Sequence, residues 1–300
     1  MTDALDKALT NLITYDVRFE ELETATRESQ FVEAGFGLLD QTLKYLYLTA
    51  QLYRMERPEG MERNEAIVVG HIVRMYKLVH SILGKAQQDR GGDQHSAVVR
   101  QFLEGVSVVE YLIQDVTDDV RFDAYVQDGL IAEKQISIVV ADEVAKRDGN
   151  RWKIEDRLDT SINNTFRSGG VDKESLPGRK TIAFPSVENR MKLFGPTVYA
   201  AYRASSAGIH GTWSDVGNNH LMTKGGKFHP DFESYRIRPQ IFTLMSLWGT
   251  RACLTYIAAY LPDCYLRIKP VFGRQIEMAV QLDELHEKWI DNRENSIPRY

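Results

Sequence analysis

Four polar side chains in one stretch of small residues have the types and spacing of a chemical site. The stretch covers residues 199–213 and reads YAAYRASSAGIHGTW. Its polar residues recur at i, i+4, i+7 and i+11, which places them on one stripe of an α-helix: Tyr199, Arg203, Ser206 and His210. A guanidinium holds anionic groups, and an imidazole transfers protons near neutral pH. The stripe therefore predicts acid–base chemistry beside a bound anion.

Small residues surround the stripe and predict that the helix packs closely against a neighbour. They are Ala200, Ala201, Ala204, Ala207 and Gly208. Pro196 suits the first position of a helix because the amide hydrogen that it lacks would have no partner there. We therefore expect a helix from Pro196 to about Gly208, with His210 leaving its end.

Arg203 and His210 also form an R-x6-H spacing, and its context separates it from two similar spacings. One of these starts at Arg74 and falls in mid-helix, where the two side chains point in different directions. The other starts at Arg90 and crosses a Gly-Gly turn. The Arg203 spacing is the one at a helix end, on one stripe and among small residues.

An Arg followed by four to six residues and a His at the end of a helix resembles the active motif of the HEPN superfamily. Many members of that superfamily are metal-independent ribonucleases that act as dimers, with two motifs in one cleft. The resemblance implies an endoribonuclease of the toxin or phage-defence type that uses no cofactor.

The resemblance also implies roles for the residues of the stripe. His210 would move a proton to or from the ribose 2′-hydroxyl or the leaving oxygen, a task that suits an imidazole. Arg203 would hold the phosphate and stabilise the charge that builds on it. Ser206 or Tyr199 would orient either group, and Tyr202 would support them.

Glu110 is a candidate partner of this stripe, with either a supporting or a purely structural role. Its carboxylate falls in register with the apolar stripe of a helix over residues 95–114, so it faces the core or a cleft and needs a partner. It could pair with Arg203, either as a supporting residue of the active site or as part of a buried structural lock in which His210 caps the helix C-terminus. It could also lie at the rim and reach water. Arg100 and Glu104, four residues apart, are interpreted as a solvated helix pair.

A longer segment carries a second resemblance. The phrase YRASSAGIHGTWSD is similar to that of a bacterial family of helical proteins of unknown function, whose pattern is tyrosine, serine, His-Gly or His-Pro, and tryptophan. This resemblance covers roughly residues 95–260. It implies no activity.

Charge is distributed unevenly along the chain. The net charge of −5 divides into −10 over residues 1–149, +5 over residues 150–240 and 0 over residues 241–300. The basic middle either attracts an anionic partner such as RNA or docks on the acidic half of the protein itself. Its loop at 168–185 offers three candidate substrate-binding cations: Lys173, Arg179 and Lys180.

A metal site is a further alternative in the same region. His210, His220 and His229 could bind zinc together with Asp215 or Asp231, although their spacing is long and irregular. The favoured interpretation requires neither a metal nor a cofactor. Standard nucleotide-binding and hydrolase motifs are absent from the sequence.

Hydrophobic periodicity predicts an all-α, multi-helix bundle. Two helical regions are expected, residues 1–149 and residues 150–300, either as one continuous fold or as two subdomains joined by the irregular basic middle. The predicted helices cover residues 3–57 with a break, 62–88, 95–114, 117–148, 150–167, 238–261 and 271–291. Residues 213–235 are predicted as a loop with a short hairpin at 224–227.

The remaining sequence features bear on the cellular location of the protein and on its partners. No window approaches 18 uninterrupted apolar residues and the N-terminus lacks a signal-peptide core, so we expect a cytoplasmic protein without membrane spans. Cys253 and Cys264 are expected to be small buried hydrophobic residues. RNA and a second copy of the chain are the predicted partners. The alternative function is a non-catalytic helical binding or regulatory module with a basic groove.

Overall fold

A computed structural model describes residue 5 and residues 9–10, 14–55, 57–88, 95–233 and 235–296. Within them lie eleven α-helices and one two-stranded hairpin, so the predicted all-α fold is confirmed. In chain order the elements are α1 (Phe19–Glu23), α2 (Glu28–Leu52), α3 (Arg63–Gln87), α4 (His95–Ile113), α5 (Asp119–Ala145), α6 (Lys153–Gly169), α7 (Val187–Met191), α8 (Pro196–His210), α9 (Trp213–Asn219), β1 (Leu221–Lys224), β2 (Lys227–Pro230), α10 (Pro239–Tyr260) and α11 (Pro262–Ser296).

The chain forms two compact units. The first unit consists of Met1–Gln114 and Val187–Tyr300, and the second of Asp115–Ser186. The second unit packs α5 against α6 around an apolar cluster: Leu130, Ile131, Ile162, Phe166 and Leu176. The segment after α6, predicted as an exposed loop, contains one short 3₁₀ turn at Arg179–Thr181.

The first unit is built around α10, which packs against α2, α3, α4 and α11. Apolar residues at spacings of three and four turn one face of each helix inward. On α3 these positions are fully buried: Val68, Ile72, Met75, Val79 and Ile82. Tyr45 of α2 stacks on Phe272 of α11 with ring centroids 4.0 Å apart. Cys253 and Cys264 are buried and not disulfide-bonded, as predicted.

The C-terminal helix corrects one prediction. A connection between Pro262 and Pro270 was expected, but α11 starts at Pro262 and continues through Pro270. Proline removes one hydrogen bond, to the carbonyl four residues earlier, which belongs to Leu266. Leu266 and Pro270 are both exposed, so water can solvate that carbonyl. Ile268 and Phe272 are fully buried and hold the helix in place on either side.

The region predicted as loop after α8 is more ordered than expected. It contains α9 and the hairpin of β1 and β2, in which Lys224 pairs with Lys227. The predicted hairpin is therefore confirmed. Gly225 and Gly226 form its turn with φ angles of 60° and 72°, the left-handed values that a two-residue type I′ turn requires. Residues 11–13 of the helix predicted over residues 3–57, and the Gly-Gly turn predicted after Arg90, lie outside the described residues.

By length and composition, α3 is the single helix among the described residues that could cross a membrane. A core helix meets the same criterion. In its most apolar window 44% of the residues are buried, and α3 packs against α2 and α4. This one helix is weak evidence for a membrane span.

His71 on α3 predicts that the first unit loses stability in mild acid. Burial, followed by the charges of Arg74 and Arg190, lowers the pKa of His71 to about 4. The unfolded chain takes up a proton near pH 6.5, whereas the folded chain does so only near pH 4. The stabilisation is therefore complete above pH 6.5, and roughly 3 kcal/mol is lost as the pH falls to 4.

Urea unfolding of wild type and His71→Gln between pH 4 and 7 measures this effect. The difference in unfolding free energy between the two proteins should shrink as the pH falls. Comparison with the variant is necessary because burial raises the pKa of Glu110 and Asp283, which changes stability in the opposite sense. His80→Gln, an exposed histidine on the same helix, should keep the wild-type pH dependence. A His71→Gln variant that parallels wild type would contradict the prediction.

Candidate functional site

The predicted stripe lies on α8, which extends to His210 itself. Arg203 and His210 are exposed and Tyr202 is buried. The Arg203 guanidinium donates a hydrogen bond to the Tyr199 hydroxyl at 3.3 Å. The Ser206 hydroxyl donates to the carbonyl of Tyr202 at 3.1 Å, inside its own helix. The outer face of α8 thus presents a cation and an imidazole to solvent.

The small residues of α8 allow the close packing against α4 that was expected. A Cβ atom added to Gly208 would lie 2.9 Å from the Cβ of Ser96 and 3.4 Å from Oδ1 of Asp215. The distance to Ser96 is too short for a Cβ atom unless Ser96 moves, whereas the distance to Asp215 is an ordinary van der Waals contact. Glycine at position 208 therefore brings the end of α8 against the first turn of α4.

This contact places Arg100 of α4 beside His210. Nη1 of Arg100 lies 3.5 Å from Nε2 of His210. Nε of Arg100 donates to Oε1 of Glu104 at 3.0 Å, and the Tyr202 hydroxyl donates to the same oxygen at 3.0 Å. The guanidinium carbon of Arg100 also lies 4.9 Å from the centre of the Tyr202 ring. We call these four residues, Arg100, Glu104, Tyr202 and His210, the Arg100 cluster.

The electrostatics of the Arg100 cluster keep its donors protonated. Burial acts to lower the pKa of Arg100, but the hydrogen bond to Glu104 and the proximity of Tyr202 raise it overall. Burial, then the charge of Glu104, raises the pKa of the Tyr202 phenol. Arg100 is therefore a fixed cation, held in one orientation by Glu104 and by the Tyr202 ring.

Glu110 has partners different from the one expected. Its Oε1 accepts a hydrogen bond from the Thr255 hydroxyl at 3.0 Å and lies 3.8 Å from Nε of Arg251. Burial raises the pKa of Glu110. These contacts to α10 replace the proposed pair with Arg203. The carboxylate that joins α4 to α8 is that of Glu104, six residues earlier on α4.

The predicted i,i+4 pair of Arg100 and Glu104 is present, but it is only partly solvated. Their side chains are only 23% and 28% exposed, and they contact α8. A signal was present in the sequence: Ser96, Arg100 and Glu104 recur every four residues and form a polar stripe on α4. Such a stripe needs a polar partner, and α8 supplies it through Tyr202 and His210.

The three candidate substrate-binding cations belong to the second unit. Lys173 donates a hydrogen bond to the Ser137 hydroxyl on α5. Arg179 and Lys180 are exposed in the 3₁₀ turn Arg179–Thr181. Their role as substrate contacts remains a prediction.

The histidines after α8 do not assemble as a metal site. His220 lies 3.6 Å from Asp215, which also accepts a hydrogen bond from Asn219 at 2.8 Å. His229 lies on β2 opposite Met222, and Asp231 accepts a hydrogen bond from Tyr235. Across the part of the chain that the structure describes, no three His, Cys, Asp or Glu side chains come close enough to hold a metal ion.

The fold and the site together define an all-α protein with an exposed imidazole beside a fixed guanidinium. The chain matches the model of a family of unknown function, DUF5677, over residues 65–228. This match spans more than half of the chain, from α3 through α8 to the hairpin, and the chain belongs to that family. It agrees with the expected likeness to an uncharacterised helical family. No curated protein matches the chain, and no solved structure does.

Proposed function

We propose that the chain is a metal-independent endoribonuclease whose site is the Arg100 cluster, with Arg203 at its edge. The observation that carries the proposal is the 3.5 Å contact between Nη1 of Arg100 and Nε2 of His210 at an exposed helix end. A phosphodiester needs a cation for its charge and a group that transfers a proton nearby. This contact provides both without a metal.

The direction of that hydrogen bond supports a role of His210 as a base. A guanidinium can only donate, so Nε2 of His210 is the acceptor when the two groups are hydrogen-bonded. When RNA binds, the phosphate would attract Arg100 and leave Nε2 free to accept the proton of the ribose 2′-hydroxyl. The 2′-oxygen then bonds to phosphorus, and the bond from phosphorus to the 5′-oxygen breaks.

The leaving 5′-oxygen takes up a proton, so the products are a 2′,3′-cyclic phosphate and a 5′-hydroxyl. One imidazole cannot act on both faces of the phosphorus in the same step. A homodimer, which the HEPN resemblance implies, would supply His210 of a second copy as the acid. Arg203 and Tyr199, about two and three turns before His210 on the same stripe of α8, would contact a neighbouring phosphate.

A second candidate function is a non-catalytic binding module that uses the same surface. The observation in its favour is the engagement of Glu104, which accepts hydrogen bonds from both Arg100 and Tyr202. The bond from Tyr202 locks α8 to α4, as a purely structural cluster would. A binding module would retain RNA without cleaving it.

Incubation of the purified chain with total RNA, in the presence and absence of EDTA, tests the proposal. Cleavage should persist in EDTA, leave cyclic phosphate ends and disappear in His210→Ala. His220→Ala is the matched control, because this exposed histidine pairs with Asp215 outside the Arg100 cluster. RNA that stays intact with folded wild-type protein would contradict the nuclease proposal and favour the binding module.

A further inference from the structure

Two exposed aromatic rings follow the Arg100 cluster along the chain. Trp213 begins α9 and is 65% exposed, and Phe228 on β2 is 59% exposed. Their ring centroids lie 5.5 Å apart at an angle of 89°. Large rings that touch each other and yet face solvent are unusual in a chain that could bury them. The Trp213–Phe228 pair is therefore a candidate contact surface.

The Trp213 ring is held in place by its own helix. A Cβ atom on Gly217 would lie 3.6 Å from Cε2 of Trp213, so the ring rests over the position where Gly217 has no side chain. Phe228 abuts the ring edge-to-face from the hairpin. A ring fixed on two sides loses little further rotational freedom when a flat ligand stacks on it.

The hairpin adds positive charge beside the rings. It carries Lys224 and Lys227 and no acidic residue. Thr223 pairs with Phe228, and Lys224 pairs with Lys227, so the ring and the ammonium groups lie on opposite faces of the same hairpin. A strand that follows the hairpin edge would meet an aromatic surface on one side and cations on the other.

We propose that Trp213 and Phe228 form a stacking platform for an unpaired base of single-stranded RNA, with Lys224 and Lys227 contacting the adjoining phosphates. Unpaired bases stack on exposed aromatic rings, whereas duplex bases are covered by their neighbours. The charge favours an anionic partner over an apolar protein face. The platform rests on the proposed function for its location, because Trp213 lies only three residues, at most about 11 Å, from His210.

The test measures binding of a short fluorescent oligoribonucleotide in which every 2′-hydroxyl is methylated, so that no attack on phosphorus can occur. Trp213→Ala should weaken binding by about 5- to 150-fold, the effect of removing one stacking ring. Trp213→Phe should retain most of the affinity. Trp152→Ala, which removes an exposed tryptophan of the second unit, is the matched control and should bind as wild type. A duplex of the same sequence should not distinguish wild type from Trp213→Ala.

Two outcomes overturn the platform. One is equal or absent binding of the single strand by wild type and Trp213→Ala. The other is a change from dimer to monomer in Trp213→Ala with RNA affinity unchanged, which would make the ring pair an interface between copies. If the proposed nuclease function alone is wrong, binding still depends on Trp213, but unmethylated RNA is not cleaved. If wild type cleaves RNA and binding does not depend on Trp213, the platform proposal alone is wrong.

Discussion

Replacement of Arg57 by leucine should lower the free energy of unfolding of the first unit by about 3 kcal/mol. Nη2 of Arg57 lies 2.6 Å from Oε1 of Glu65, and the Tyr256 hydroxyl donates to the same oxygen at 2.8 Å. The Glu65 side chain is only 2% exposed. Without Arg57, a carboxylate in the core between α3 and α10 would keep one hydroxyl donor and no countercharge.

The size of the effect follows from the burial of the two partners. Breaking a buried ion pair typically costs about 3 to 5 kcal/mol because the remaining charge is uncompensated. Arg57 is 33% exposed, so water can partly solvate Glu65 once the arginine is gone, and the lower end of that range applies. Burial, then Glu65, raises the pKa of Tyr256, so its hydroxyl stays protonated and continues to donate.

Urea unfolding at neutral pH measures the loss, and two further variants identify its cause. The double variant Arg57→Leu/Glu65→Leu removes both charges and should recover most of the stability. Lys44→Ala breaks the half-exposed pair with Asp40 and should change stability by less than about 1 kcal/mol. An Arg57→Leu protein as stable as wild type would show that the buried carboxylate needs no countercharge.

The sequence predicts the helices well and the connections less well, for physical reasons. Buried residues at spacings of three and four leave a strong periodic signal, and α3, α4 and α10 appear within one or two residues of their predicted ends. The helix break predicted between residues 261 and 271 does not occur, because the loss of one hydrogen bond at Pro270 on a solvated face is small beside the burial of Ile268 and Phe272. The short helix α9 carries too few apolar residues to show a period.

For the candidate site too, the sequence predicts what lies within one helix but not the contacts between helices. The stripe on α8 was predictable because its residues belong to one helix, and Arg203 and His210 are both exposed there. The neighbour of His210 was not predictable from local spacing. Arg100 precedes it by 110 residues and reaches it only because Gly208 lets α8 approach Ser96 on α4. The R-x6-H spacing therefore indicated an exposed histidine and an exposed arginine on α8. The fold places a second cation, Arg100, in contact with that histidine.

If RNA cleavage is established, Arg100→Ala should reduce kcat by about 10²- to 10³-fold, the usual cost of removing a preorganised donor to the developing charge. Its guanidinium is held by Glu104 and the Tyr202 ring next to His210, so only its contact with Nε2 of His210 has to be exchanged for one with the phosphate. Arg203→Ala should instead raise KM with a smaller change in kcat. Arg203 is exposed and contacts Tyr199 rather than His210, so its contribution is to binding.

Steady-state cleavage of a fluorescent RNA by the two variants separates these roles, with circular dichroism as the check on folding. Arg100→Lys is the informative third variant. It keeps the charge but loses the planar group that binds Glu104 while lying against Tyr202, so its kcat should fall between wild type and Arg100→Ala. If Arg203→Ala lowers kcat more than Arg100→Ala does, Arg203 rather than Arg100 stabilises the charge on the phosphate. In that case the contact of Arg100 with His210 would be structural, and the cluster would serve chiefly to hold α8 against α4.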